Sequence, residues 1–245
     1  FAVQPAIDSA SGDLTYTPTD DANGSATVTV TLRDDGGIAD GGVDQSLSQT
    51  FTISLTAVND QPAVNLVRTS VVVSEDAGPQ EVALASLIAD ASAPVFGDEA
   101  GQTGTYTVGN LTNGGLFSAA PSVDANGRLT FTAAADANGT ATFDLTVQDN
   151  GGTADGGIDT SAVSGTVTIT VGAVNDRPSF TVGAAQTVLE DAGVQTVAGF
   201  ATAISAGPTD EAGQALTFEV VADDPSLFAV QPAIDSASGD LTYTP

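Results

Sequence analysis

Asp, Glu and Asn are the residues of this chain that could do chemistry, and little else is available. Its 245 residues hold 31 acids against four basic residues, Arg33, Arg68, Arg128 and Arg177, and contain no Lys, His, Cys, Met or Trp. Without His or Cys there is no thiolate nucleophile, no imidazole base and no ordinary zinc, copper or iron ligand set. Carboxylates, amide oxygens and backbone carbonyls remain, and these hard donors suit Ca²⁺. A net charge of −27 opposes compaction by self-repulsion, which bound divalent cations relieve. Most of the acids are read simply as a solubilising surface. The same charge balance excludes nucleic acid, whose binding rests on cationic contacts to phosphate, and anionic membrane surfaces.

Other chemistries fail on their own terms. No glycine-rich stretch is followed by Lys, so there is no phosphate loop. Carboxylate pairs of the kind glycosidases use are plentiful, but they lie on repeated turns, with no Trp and only three Tyr to line a sugar cleft. The chain is therefore read as not an enzyme. Absence of Cys removes disulfide staples, which fits a cytosolic protein or a secreted bacterial one equally. No apolar run approaches the length of a transmembrane helix. With no initiator Met and no signal peptide, the sequence reads as a window on something longer.

The elements that must position the acids announce themselves by repetition. Residues 20–44, DDANGSATVTVTLRDDGGIADGGVD, return at 135–159 as ADANGTATFDLTVQDNGGTADGGID. VVVSEDAG at 71–78 returns as TVLEDAG at 187–193, and DEAGQTGTYTV at 98–108 as DEAGQALTFEV at 210–220. AVNDQP at 57–62 and AVNDRP at 173–178 each follow an alternating strand, and Pro stiffens the exit. The repeat is roughly 111–116 residues, the size of a β-sandwich. The expected division is 1–60, the C-terminal part of one sandwich; 61–176, a complete one; and 177–245, the N-terminal part of a third. Residues 1–18 are identical to 228–245, whereas the central counterpart FSAAPSVDANGRLTFTA matches in fewer than half its positions. A two-module unit of 227 residues repeated head to tail follows, with 179–227 and then 1–60 making one module. A continuous polymer of such units is favoured over separate chains exchanging strands.

Within 61–176 the period-two alternation predicts strands at SVVVS, PQEVAL, GTYTV, RLTFTA, TATFDLTV and SGTVTITV, with a weaker one at LFSAA. Thr on the outer faces suits the pleat. SLIAD at 86–90 is the one expected helical turn. About seven strands in this length predict an all-β fold of tandem Greek-key β-sandwich modules.

The ordered set SEDAG, GDEAGQ, GRLTFTAAADANG, LTVQDNGG and AVND-x-P resembles a cadherin repeat, and more closely the cadherin-like and immunoglobulin-like tandem repeats of very large bacterial surface proteins and adhesins. The resemblance spans the whole chain and implies Ca²⁺ at the junctions. Carried over, one junction would use Glu75, Asp136, Asn138, Asn175, Asp176, Asp210 and Glu211. The other would use Asp21, Asn23, Asn59, Asp60, Asp98, Glu99 and the strand-closing Asp149. Glu190 and Asp34 would serve neighbouring junctions. Six to eight oxygens must converge at about 2.3–2.6 Å, so no single loop suffices.

This chain departs from the family in carrying Ala57 and Ala173 where cadherin linkers begin with Asp, and in reducing Asp-Ala-Asp to Asp98-Glu99 and Asp210-Glu211. One or two ions per junction follow, not three. DANG also reads as a plain turn. Asp76 and Asp191 read as solvated. The loops at 34–44 and 149–159 are similar to the glycine-rich calcium loops of toxin-type β-rolls, but lack the strict nonapeptide and read equally as long hairpins whose glycines supply positive φ.

The expected role is a calcium-stiffened extender or shaft of an extracellular bacterial surface fibre, its partners being neighbouring identical modules. The alternative is a polysaccharide- or cell-surface-binding module. That alternative calls for an exposed aromatic platform, whereas Phe and Tyr fall mainly at inward positions, Phe96 excepted.

Overall fold

The computed structural model describes residues 1–88 and 99–245; Asp98, Phe96 and the end of SLIAD lie outside the described residues. The first segment contributes β1 (Val3–Ile7), β2 (Leu14–Thr17), β3 (Gly24–Val30) and β4 (Gln49–Leu55). The central segment contributes β5 (Ala63–Leu66), β6 (Ser70–Ser74), β7 (Pro79–Ala83), β8 (Ala85–Ile88), β9 (Thr105–Gly109), β10 (Phe117–Val123), β11 (Arg128–Ala133), β12 (Gly139–Gln148) and β13 (Val167–Gly172). The last contributes β14 (Ser179–Val182), β15 (Gln195–Val197), β16 (Ala201–Ser205), β17 (Val230–Ile234) and β18 (Leu241–Thr244). The fold is all-β.

In the central segment a four-stranded sheet, β6-β13-β12-β9, faces a three-stranded sheet, β10-β11-β7, and β5 pairs with β8. Alternation builds the layer between them. Along β12, Ala141, Phe143, Leu145 and Val147 are buried while the residues between them are only partly so. Ala141, Phe143 and Leu145 meet Val167, Ile169 and Val171 of β13 and, from the opposite sheet, Leu129 and Phe131 of β11 with Leu116 and Phe117. The Phe117 and Phe131 rings meet edge to face, with centroids 5.7 Å apart. Full burial of each such side chain stabilises by about 1.5–3 kcal/mol.

Two expectations are corrected. Among its described residues the segment holds nine strands where about seven were expected. SLIAD, read as a helical turn, is strand up to Ile88, because Ala85 to Ile88 pair with Leu66 to Ala63. The helix-like apolar spacing of that stretch arises where one strand passes between sheets. Leu84, fully buried, separates β7 from β8, and the amides of Leu84 and Ala85 both donate to Gly127 O at the break. Short 3-10 turns at Gly114–Leu116 and Ala154–Gly156 complete the segment.

Register decides where the acids fall. β6 and β13 run parallel, Ser70 opposite Thr168 and Ser74 opposite Gly172. Glu75 therefore emerges beside the linker that follows β13. β12 runs antiparallel to β13, with Gly139 opposite Val171, so the 135–138 loop reaches the same pole. At the far end of β12, Gln148 lies opposite Thr105 of β9, which brings Asp149 and the Glu99–Gln102 turn to the other pole.

Candidate functional site

Both poles hold the linker by the same device. The Asp176 amide donates to Glu211 Oε1 at 2.6 Å, and the Asp60 amide to Glu99 Oε1 at 2.5 Å. Gln214 Nε2 donates to Asn175 Oδ1 at 3.0 Å, and Gln102 Nε2 to Asn59 Oδ1 at 2.7 Å. A buried Glu and a Gln three residues later thus clasp the Asn-Asp pair of each linker. The Gln was not foreseen, although GDEAGQ and TDEAGQ both display it. A side chain on Gly207 would collide with the carboxylate of Glu211, so glycine is required there.

At the pole joining 61–176 to 177–245, Glu75 adds a second grip. Its Oε1 accepts the Val174 amide at 2.6 Å, and its own amide donates to Gly172 O. Glu75 and Glu211 are both buried, and the Oε2 of each has no hydrogen-bond partner. A buried carboxylate oxygen left in this way is costly. Asn138 Nδ2 donates to Asp210 Oδ2 at 2.9 Å, directly across the junction. Asp176 is half-buried, and its carboxyl is held above its ordinary value of 3.8 by desolvation first, then by the charges of Asp136, Asp76, Glu211 and Glu75. Six of the seven residues expected here are thus tied to the linker or to one another, and Asn175 joins through Gln214. Exposed Asp76, read as merely solvated, adds to the field on Asp176.

At the pole joining 1–60 to 61–176, Asp21, Asn23 and Asp60 line a cleft of about 140 Å³ with Thr56, Ala57 and Val58. Asn59, already held by Gln102, also joins Asp149 in a second clasp. Asn59 Nδ2 donates to Asp149 Oδ1 at 3.2 Å and to Ile158 O at 2.8 Å, while the Ile158 amide donates to Asn59 O. Asp149 also accepts the Gly151 amide, and a Cβ on Gly151 would overlap Asn59 Oδ1. The 149–159 loop therefore grips the preceding linker. Its repeat counterpart is braced alike: Asp34 accepts the Gly36 amide, and Arg33 contacts Asp44 at 3.8 Å where Gln148 bonds Asp159. Glu190 and Asp191 are exposed.

Turn geometry repeats as faithfully. Asp21 and Asp136, both at φ 56°, open the DANG turns in the left-handed region that short polar side chains tolerate. Asp8, Asp124 and Asp235 accept local backbone amides in hairpin turns, which lowers each below its ordinary value. For these three the turn role is the whole role.

As donors the junction residues fit Ca²⁺: all are oxygens, two are buried carboxylates with an oxygen to spare, and they carry excess negative charge. Among the described residues, however, no three carboxylates converge closely enough to enclose an ion.

The raised Asp176 carboxyl makes a sign prediction. An acid whose folded value is raised stabilises the fold in its protonated form, below its unfolded value, and that stabilisation is lost as pH rises through the folded value. Without divalent cations, hydrogen exchange at 173–177 should therefore quicken relative to the β12 core as pH is raised from about 4 to 7, after correction for intrinsic rates. A pH-independent ratio counts against the acidic pole.

No family model matches the chain, and no curated protein sequence matches it. Solved structures do. The human desmocollin-1 ectodomain is 20% identical with a TM-score of 0.47, over 98% of this chain and 44% of that one. A mouse cadherin-23 fragment, EC22-24, is 15% identical with a TM-score of 0.42, over 98% of this chain and 71% of that one. This chain thus spans less than half the length of the desmocollin ectodomain.

Proposed function

We propose that this chain is a calcium-stiffened structural repeat, an extender within a long extracellular bacterial adhesin or surface fibre. The observation that carries this reading is the junction at 173–177. There Glu75 and Glu211 spend one oxygen each on linker amides and keep the other buried without a partner, amid Asp136, Asp76 and Asp176. Glu75, Asp136, Asp176, Asp210 and Glu211 would hold the ion there, and Asp21, Asn23, Asp60 and Glu99 its counterpart at 57–60. Bound Ca²⁺ supplies neutralisation of clustered like charge. The protein's own part is to fix the linker backbone from both sides, through Glu75 of one module and Glu211 of the next. The role is mechanical, not catalytic. Among the described residues no helix is long and apolar enough to cross a membrane.

Extracellular modules bind Ca²⁺ with Kd of about 10⁻⁴–10⁻³ M. At ten times Kd each site contributes roughly 1.4 kcal/mol. That is modest beside about 5–15 kcal/mol for a domain, but it acts on the hinge. Small-angle scattering in millimolar Ca²⁺ and then in EDTA tests it. Chelation should shorten the maximum dimension and broaden the distance distribution before the sandwich unfolds. An unchanged profile would sink the reading.

A further inference from the structure

The glycine pairs of the 149–159 loop divide their work. Gly152 and Gly156 lie at φ 82° and 93° and shape the turn, but Gly151 and Gly157 are outside the left-handed region and are not required for that. They make room instead. An ideal Cβ on Gly151 would stand 1.6 Å from Asn59 Oδ1, and one on Gly157 would stand 3.1 Å from both Asn59 Cβ and Asn59 O. Gly157 is also close to its own loop, at Gly152 O, so Gly151 is the cleaner case.

The asparagine admitted there has a partner for each side-chain polar atom. Its Nδ2 donates to Ile158 O at 2.8 Å and to the two oxygens of buried Asp149 at 3.2 and 3.4 Å. Those partners only accept, so Oδ1 must face Gln102, whose Nε2 answers at 2.7 Å. Gln102 keeps this orientation although its own Oε1 is left buried without a hydrogen-bond partner. With a hydrogen atom on one side of Asn59 Oδ1 and the Gly151 backbone against another, that oxygen is not offered to a cation, whose ligands stand at about 2.3–2.6 Å. The backbone is held as well, since the Ile158 amide donates to Asn59 O at 2.9 Å.

The loop owes its shape to its own sequence. At 34–44 the same turn recurs, with Asp40 at φ 54° matching Asp155 at φ 55° and Gly42 against Gly37 O as Gly157 is against Gly152 O. Asn59 therefore enters a formed loop as its ligand. Downstream of it, Gln61 Nε2 donates to Thr160 O at 3.1 Å and Pro62 is fully buried, whereas residues 56–58 upstream are exposed. The Gln contact recurs between Gln214 and Asn175 at the other linker.

We propose that the 149–159 loop and Gln102 form a socket for the linker asparagine, pinning residues 59–62 to the sandwich that follows without any cation. Gln102 is its positioning residue: an amide hydrogen stands where a carboxylate would call for an ion. The hinge open to calcium is then upstream, at residues 56–58, which share a cleft with Asp21 and Asn23. Only the place of that hinge rests on the calcium reading; the socket does not.

Amide hydrogen exchange of the 245-residue chain, read by NMR in EDTA and in millimolar Ca²⁺, tests the socket. The Ile158 amide reports seating, because its acceptor is Asn59 O; the Gly157 amide, donating to Ala154 O, reports the loop itself. In wild type, Ile158 protection should agree within about twofold between the two buffers. Gln102→Glu sets oxygen against oxygen, and Gly151→Ala overlaps the seated side chain. In EDTA each should speed Ile158 exchange about tenfold or more, with Gly157 exchange and the melting of the central sandwich unchanged. Loss of wild-type Ile158 protection in EDTA, an unmoved Ile158 in either variant, or Gly157 quickening in step with Ile158 overturns the proposal. Ile158 protection that survives EDTA beside a scattering profile that EDTA leaves unchanged would overturn the calcium reading and leave the socket standing.

Discussion

Phe143→Ala should remove most of the stability of the central sandwich, about 3–5 kcal/mol. Phe143 is fully buried on β12, between Val167 on the neighbouring strand and the Phe117–Phe131 pair of the facing sheet. Truncation leaves a cavity that rigid sheets on both sides cannot close. Against a domain stability of about 5–15 kcal/mol, that loss brings the segment near its unfolding limit. Urea denaturation read by hydrogen exchange on β12 should show the midpoint fall with an unchanged slope. The repeat supplies its own control. Val28 occupies the same position on β3 but is only half-buried. Val28→Ala should cost under about 1 kcal/mol, because little packing is lost. Equal losses at the two positions would contradict the division into one complete core and two partial ones.

That contrast also shows what could be read from the residues alone. RLTFTA, TATFDLTV and SGTVTITV coincide with β11, β12 and β13 because period-two alternation and a one-sided core are the same fact seen twice. β5 and β8 escaped notice. They are short, and β8 belongs to a strand that changes sheets, so its apolar residues do not follow a single face. At the poles, carboxylates and Asn-Asp linkers were identifiable by type and order. Their sorting into two clasps was not. Asn59 and Asp60 are adjacent, yet Asp60 turns to Glu99 alone while Asn59 is shared between Gln102 and the Asp149 loop, a choice made by the registers of β12 with β9 and β13. Gln102 and Gln214 passed unremarked because an amide three residues after a Glu has no distinctive pattern until the linker is seen against it.

Gly127→Ala should be nearly as damaging as the loss of Phe143, though it adds only a methyl group. Gly127 lies at φ 73°, and its Cβ would stand 1.9 Å from Ala85 O. Neither side can yield. Gly127 O accepts both the Leu84 and Ala85 amides, and its own amide donates to Asp124 O. Asp124 in turn accepts from Asn126 and Arg128, which fixes the turn. These bonds define the break at which one strand leaves β11 as β7 and joins β5 as β8. Left-handed strain of about 1–3 kcal/mol, with two backbone hydrogen bonds worth about 1 kcal/mol each, puts the cost near 3–5 kcal/mol. Gly115→Ala serves as the comparison: no atom lies within 4 Å of its Cβ, and its φ is not in the left-handed region. Its melting temperature should stay within about 2 °C of wild type. The repeat places Gly239 identically against Ala201 O, at 2.0 Å and φ 75°. If the break is what lets a strand serve two sheets, Gly127→Ala should lose exchange protection at Val64–Leu66 and Ala85–Leu87 before β12 and β13 lose theirs. Simultaneous loss across all four strands would mean that the glycine supports the core directly and not the crossing between sheets.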